Sequence, residues 1–200
     1  MKHDSQDRQD EDVDLMLSFK RGDYNAFASL VEKHQQSLIQ FFYAQHPDQQ
    51  LAEDCAQEVW RKVFKARNDY VARARFKTYL FRVARNYWID VYRSKSKHKP
   101  LVSLDAGSAS FDDAPALANM VADELPTPPS LLSNEELKTK IQWALERLPI
   151  NQREVFVLSE FQGLKYQDIG EALEIPVGTV KSRMFNAMRR LRDLLNKEID

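Results

Sequence analysis

Two hundred residues, 43% of them apolar, can bury the core of one ordinary domain or of two small ones. Five glycines are too few for the turns of a sandwich, a barrel or a nucleotide-binding α/β fold, and the single cysteine, Cys55, excludes an internal disulfide. The net charge of −1 hides a strong segregation of charge, and no stretch approaches the roughly twenty apolar residues that a membrane span requires.

The first 14 residues are acidic and polar, without the basic start and apolar run of a signal peptide, so the chain is expected in the cytoplasm. A short helix is predicted over residues 12–20, ended by Arg21-Gly22-Asp23. Residues 24–44 follow as a helix, with Phe27, Leu30, Val31, Leu38 and Phe42 at three- and four-residue spacing. His46-Pro47-Asp48 breaks it. Residues 51–65 and 76–93 complete the set, the latter with Leu80, Val83, Ala84, Tyr87 and Val91 as its apolar stripe. Up to Trp60 the chain holds 5 Lys/Arg against 12 Asp/Glu; from Arg61 to Lys99 the balance is 13 against 2. A basic run of that density attracts polyanions by counterion release.

Residues 100–133 carry five of the eight prolines, five acidic residues and no Lys or Arg. That composition reads as a linker, too long for a connection inside one compact domain. The fold class expected is therefore all-α, with two small helical domains: residues 1–99, a linker over 100–133, and residues 134–200. The second domain opens at Ser133, whose spacing to Glu136 matches a capping box. Leu137, Ile141, Leu145 and Leu148 form the buried side of its first helix. Asn151 with Glu154 repeats the start signal for a helix reaching about Phe161, and Gly163 ends that one. Helices over 166–173 and 177–195 are separated only by Glu174-Ile175-Pro176.

Those last two helices, with Ile169, Leu173, Val180 and Met184 inward, describe a helix-turn-helix. The face opposite the apolar stripe of the second carries Thr179, Ser182, Arg183, Asn186 and Arg190, with Lys181 at its edge. Arg and Lys can bond guanine edges, Asn can bond adenine, and Ser and Thr can reach bases or phosphates. A second signal runs from Phe76 to Arg93, where Tyr79, Phe81 and Trp88 alternate with Lys77, Arg82, Arg85 and Asn86. Cations can follow a phosphate path while aromatic faces receive unstacked bases, as single-stranded DNA requires. Taken singly, each of these aromatics is more simply a core residue. A third signal is the acidic-amide edge Asp54, Gln57 and Glu58, unsuited to DNA and suited to a basic protein surface or to plain solvation.

No Gly-rich phosphate loop, no metal-ligand spacing among His3, His34, His46 and His98, and no nucleophile triad is found. The expectation is a non-enzyme without cofactor or metal. A recombinase or nuclease would need clustered carboxylates on the basic face, where Asp69 and Asp90 are the only acids. A helix-turn-helix transcriptional regulator that is not a polymerase subunit is the alternative.

In order along the chain stand Asp-x-x-Gln-Glu-x-Trp, Phe-x-Thr-Tyr-Leu-Phe-Arg-Val-Ala-Arg-Asn-x-x-x-Asp, the linker, Leu-Pro-x-x-x-Arg-Glu-Val-Phe and Pro-Val-Gly-Thr-Val-Lys-Ser-Arg. This succession resembles the bacterial extracytoplasmic-function (ECF) sigma factors, over nearly the whole chain. The resemblance implies that Asp54, Gln57 and Glu58 dock on the clamp helices of the polymerase β′ subunit, with the β subunit also contacted. It places Tyr70, Tyr79 and Asn86 near a flipped base of the −10 element, and Lys77, Arg82 and Arg85 on the DNA backbone. Thr179, Lys181, Ser182, Arg183 and Asn186 would enter the major groove of the −35 element. Asn186 stands where many relatives place a base, so the −35 preference does not transfer. The acidic linker would thread the path of nascent RNA, and an anti-sigma factor is an expected partner. Promoter DNA and core polymerase are the others, with no membrane insertion.

Overall fold

A computed structural model describes residues 4–96 and 134–196, and among them the secondary structure is helical throughout, with no strand. The linker, the Ser133 end of the capping box, Lys97 and Lys99 lie outside the described residues.

The N-terminal half is a bundle of four helices: α1 (Asp4–Lys20), α2 (Tyr24–Gln45), α3 (Gln49–Lys65) and α4 (Phe76–Ser96). Helix α1 starts eight residues before the predicted short helix. The acidic stretch before Asp12 lacks an apolar stripe, so periodicity could not find it. Gly22, at φ +105°, closes α1 because the left-handed turn suits a residue without Cβ. Its N–H reaches Phe19 O (2.9 Å) and the Asp23 N–H reaches Ser18 O (3.1 Å), the paired bonds of a Schellman end. Asp23 then caps α2, its Oδ1 accepting from the N–H groups of Asn25 (3.0 Å) and Ala26 (3.3 Å). Asp48 does the same for α3 through the Leu51 N–H (3.0 Å).

Met16, Phe19, Leu30, Leu38, Phe41, Phe42, Val59, Val63, Phe76, Leu80 and Phe81 fill the space between these helices. One polar cluster is buried with them. The Asp12 carboxylate meets His34 Nε2 at 2.9 Å and the Lys33 ammonium, which pins α1 to α2. Burial alone would raise the Asp12 pKa, but the bonds from His34 and Lys33 outweigh it and leave the carboxyl below its ordinary value.

The C-terminal half comprises α5 (Asn134–Glu146), α6 (Ile150–Phe156), α7 (Tyr166–Leu173) and α8 (Val177–Asn196), with a π-helical turn, Val157–Phe161, extending α6. Leu145, Leu148, Val155, Leu158, Ile169, Leu173, Val180, Met184, Ala187 and Leu191 form its core. The capping box read at Asn151 and Glu154 is not made. Pro149 precedes the helix at ψ 142°, and its carbonyl accepts from Gln152 and Arg153 N–H, both at 3.0 Å. Glu154 points into the protein instead.

The turn between α7 and α8 is tight. Glu174 adopts φ 57°, and the Ile175 N–H returns to Gly170 O at 3.0 Å. A Cβ on Gly170 would sit 3.0 Å from Ile175 O, so any larger residue would make the turn give by a few tenths of an ångström. The two halves also pack on each other, α4 against α7 and α2 against α5 and the π turn.

Candidate nucleic-acid interface

Helix α8 buries Val180, Met184, Ala187 and Leu191, residues spaced three and four apart. The opposite side therefore centres on Ser182, Phe185 and Arg189, all exposed. The predicted face is rotated relative to this. Lys181, also exposed, stands at its edge, and Arg190 is exposed beside Arg189. Thr179, Arg183 and Asn186 are half-buried flanks, and Ser182 Oγ donates to Thr179 O at 3.1 Å.

Phe185 was missed. It is 52% exposed in the middle of a cationic and polar stripe. The sequence held the signal: Phe185 is four residues from Lys181 and off the apolar stripe. An exposed aromatic there can make apolar contact with a thymine methyl in a major groove.

Arg183 leans inward toward Glu154, which is only 4% exposed. Burial pushes the Glu154 carboxyl up to about 7, against the opposing pull of Arg85, Arg183 and Arg153. Burial likewise lowers the Arg183 guanidinium, and nearby Arg85 adds to that. Arg85 of α4 and Arg183 of α8 thus lie within the electrostatic reach of the buried Glu154 carboxyl on α6.

Along α4 the aromatics divide. Phe81 and Trp88 are core. Tyr79 is half-buried and meets Tyr70 edge-on, with ring centroids 5.0 Å apart. Tyr70 is itself buried, and burial raises its hydroxyl to about 12. The Tyr70 backbone is tied to α1, its carbonyl accepting from Lys20 Nζ at 2.8 Å. Of the cations of α4, Arg93 is exposed, while the three predicted to hold DNA are not open to solvent. Lys77 Nζ donates to Gln162 O at 2.6 Å, and burial pulls its ammonium below the usual value. Arg82 and Arg85 are half-buried, each with a buried Nε lacking a hydrogen-bond partner among the described residues. Just before α4, Arg75 pairs with Asp168 of α7 at 3.3 Å. Asn86 alone among the predicted −10 residues is exposed.

On α3, Asp54 and Gln57 are exposed and Glu58 half-buried, with Cys55, Ala56, Val59 and Trp60 facing the core. Asp54 Oδ1 accepts from Gln50 (3.0 Å), and Glu58 pairs with Arg61 at 3.0 Å. The structure brings this acidic-amide edge together as a surface separate from α8. Among the described residues there is no cluster of ligating side chains for a metal ion, and no helix is long and apolar enough to cross a membrane.

Residues 30–98 match the family described as Sigma-70 region 2, and residues 138–191 match Sigma-70, region 4. The ECF RNA polymerase sigma factor SigW of Bacillus subtilis is 35% identical over 176 residues, 88% of this chain and 92% of that protein. The RNA polymerase sigma-H factor of Pseudomonas aeruginosa is 30% identical over 179 residues, 90% of this chain and 91% of its own length. Among solved structures, CnrH in complex with the cytosolic domain of CnrY superposes with a TM-score of 0.68 at 21% identity, covering 94% of this chain and 98% of that one. The sigma factor RpoE in complex with the anti-sigma factor NepR from Bartonella quintana gives 0.63 at 21%, over 85% and 96%. At that identity the structures attest the fold, and the sequence relatives attest the kinship. The chain belongs to the ECF sigma factors of RNA polymerase.

Proposed function

We propose that this chain joins core RNA polymerase through its N-terminal half and directs it to promoters, with residues 1–99 serving polymerase and the −10 element and residues 134–200 the −35 element. Asp54, Gln57 and Glu58 present carboxylates and an amide to the basic clamp helices of β′, while the C-terminal half sits on β. Ser182, Phe185 and Arg189 form the centre of the −35 reader, with Lys181 at one edge and Thr179, Arg183 and Asn186 as half-buried flanks. Polar groups bond base edges and the ring packs on methyls. On the −10 side, Lys77, Arg82 and Arg85 hold phosphates, and Tyr70, Tyr79 and Asn86 surround a base that has left the stack. A few kcal/mol of unstacking is offset by those contacts, so melting is favoured where the sequence matches. No bond is made or broken by the chain, and no cofactor enters. It works in the cytoplasm, and an anti-sigma factor holds it in reserve; the two solved neighbours, each captured with a partner protein, support that last point.

The observation that carries this reading is the exposed acidic-amide edge of α3, beside α4 and unsuited to a phosphate backbone. A DNA-binding protein acting alone has no use for it. The test is retention of core polymerase on the immobilised chain. Asp54→Lys with Glu58→Lys should weaken retention at least about tenfold, since like charges then face a basic surface. Unchanged retention, or wild-type chain plus core that starts no transcript on any genomic fragment, would favour the regulator that works outside polymerase.

A further inference from the structure

Between α3 and α4 the chain makes one 3-10 turn, Ala66–Asp69, and then an open stretch from Tyr70 to the start of α4 at Phe76. Tyr70 leaves the turn with an extended backbone, φ −62° and ψ 129°. Beyond it the Arg73 N–H returns to Val71 O at 2.8 Å, a three-residue turn about Ala72. Val71 is 59% exposed, and Ala72 and Arg73 are exposed beside it. A turn this small has no core of its own, so its direction is inherited from the backbone at Tyr70.

Two ties hold that backbone, and both come from the last turn of α1. Lys20 Nζ donates to Tyr70 O at 2.8 Å, across 50 positions of chain. One residue earlier, Phe19 is buried. The Arg67 guanidinium of the 3-10 turn lies 5.9 Å from its ring centroid and 5.3 Å from that of Phe64. Helix α1 is itself fixed, by the bonds that close it at Gly22 and by Asp12 on His34 and Lys33. The Tyr70 ring adds packing against Tyr79, but its buried hydroxyl has no hydrogen-bond partner among the described residues. A packed ring fixes where residue 70 sits. The bond to its carbonyl fixes which way the following peptide plane turns.

From this geometry we infer that Lys20 is a positioning residue for the −10 element: its bond to Tyr70 O sets the peptide plane from which the turn Val71–Arg73 is aimed at the unstacked base. The inference rests on the proposed place of Tyr70 and Tyr79 beside that base. Lys20 touches neither base nor phosphate in this role. A bond from an ammonium to a carbonyl is strong and short, so it can hold a loop that little else holds. A looseness of about 1 Å in the supporting groups is enough to spoil a site that works by position. Lys20 is exposed, and an exposed cation can also serve DNA by meeting a phosphate directly. The two uses differ in what they change. A phosphate contact adds affinity to every sequence alike, whereas a positioning residue alters the choice between sequences.

Amide hydrogen exchange on the whole chain, followed by nuclear magnetic resonance, reads the turn without polymerase or DNA. The probe is the Arg73 N–H, held on Val71 O. Lys20→Met keeps the length of the stem and removes the donor. It should speed exchange at Arg73 about threefold or more, the scale of one hydrogen bond to a charged group. Lys20→Arg retains a donor and should restore most of the protection. Arg21→Met removes the neighbouring charge, whose bond goes to Ser18 Oγ, and should leave Arg73 unchanged. Unchanged exchange in Lys20→Met, or equal gains in Lys20→Met and Arg21→Met, overturns the tie. The second arm measures initiation with core polymerase on a promoter that the wild type uses and on its single-base variants across the −10 element. Lys20→Met should narrow the preference for the native −10 element about fivefold, and Lys20→Arg should restore it. Retention of core polymerase should not change. An equal loss on every promoter variant would mark a phosphate contact and overturn the positioning role, as would faster exchange with the preference intact. A wild-type chain that starts no transcript on any genomic fragment overturns the sigma reading and the −10 role together. That failure is told apart from failure of the tie, because exchange uses neither core nor promoter.

Discussion

Helices α4 and α8 both carry basic residues suited to DNA, and the structure treats them in opposite ways. On α8 the reading face is open: Lys181, Ser182, Phe185 and Arg189 meet solvent. On α4, Lys77, Arg82 and Arg85 are half-buried, Lys77 donating to Gln162 O, and Phe76, Phe81 and Trp88 are core. A duplex can be inspected at once by a rigid exposed helix. The difference teaches that similar residue chemistry can be left open on one helix and packed against the rest of the protein on another.

The sharpest way to break this comparison is through the buried carboxyl group within electrostatic reach of both helices. Burial raises Glu154 from 4.5 to about 7, so the folded chain holds a proton that the unfolded chain releases between those values. Stability from this group is fully present below about pH 4.5 and is lost as pH rises through 7. The loss is on the order of 3 kcal/mol at most. Glu154→Gln should flatten that fall in denaturant melts taken between pH 5 and 8. An unaltered pH slope would mean that burial does not hold Glu154 protonated in the fold.

A smaller effect is expected at Gly170. Gly170→Ala drives a methyl to 3.0 Å from Ile175 O, and the turn that aims α8 must shift. We expect a loss of roughly 1–2 kcal/mol in stability, together with weaker −35 binding. Full −35 affinity in a destabilised variant would show that the aim of α8 tolerates movement of α7. The finest test is Phe185→Ala. The ring is exposed, so the melting temperature should stay within about 2 °C, while −35-dependent initiation falls about fivefold and core retention is unchanged. Initiation at wild-type level would remove Phe185 from the reader. Arg183→Ala is less clean, because it also strips a counter-charge from buried Glu154.

Much of this organisation was legible in the sequence. Apolar periodicity found α2, α3, α4, α7 and α8 to within about three residues at each end, because amphipathic helices must bury a stripe. The acidic start of α1 offered no stripe, and Asn151 resembled a cap only because propensity ignores the Pro149 beside it. The polar face of α8 was placed part of a turn away from where burial puts it, with Lys181 rightly at its edge, and Phe185 was not singled out, since a face counted by residue type favours polar members over an exposed ring. Packing between the halves was not legible at all. Charge segregation shows that a segment is basic; whether its cations meet solvent, DNA or Gln162 O depends on contacts that local pattern does not encode.

The Arg75–Asp168 pair spans 93 positions of chain. At translation rates of about 5–20 residues per second, Arg75 leaves the ribosome roughly 5–20 s before its partner exists. A four-helix bundle folds far faster than that. Every newly made molecule therefore passes through a period of seconds with α4 uncovered, amid the ribosome's own RNA.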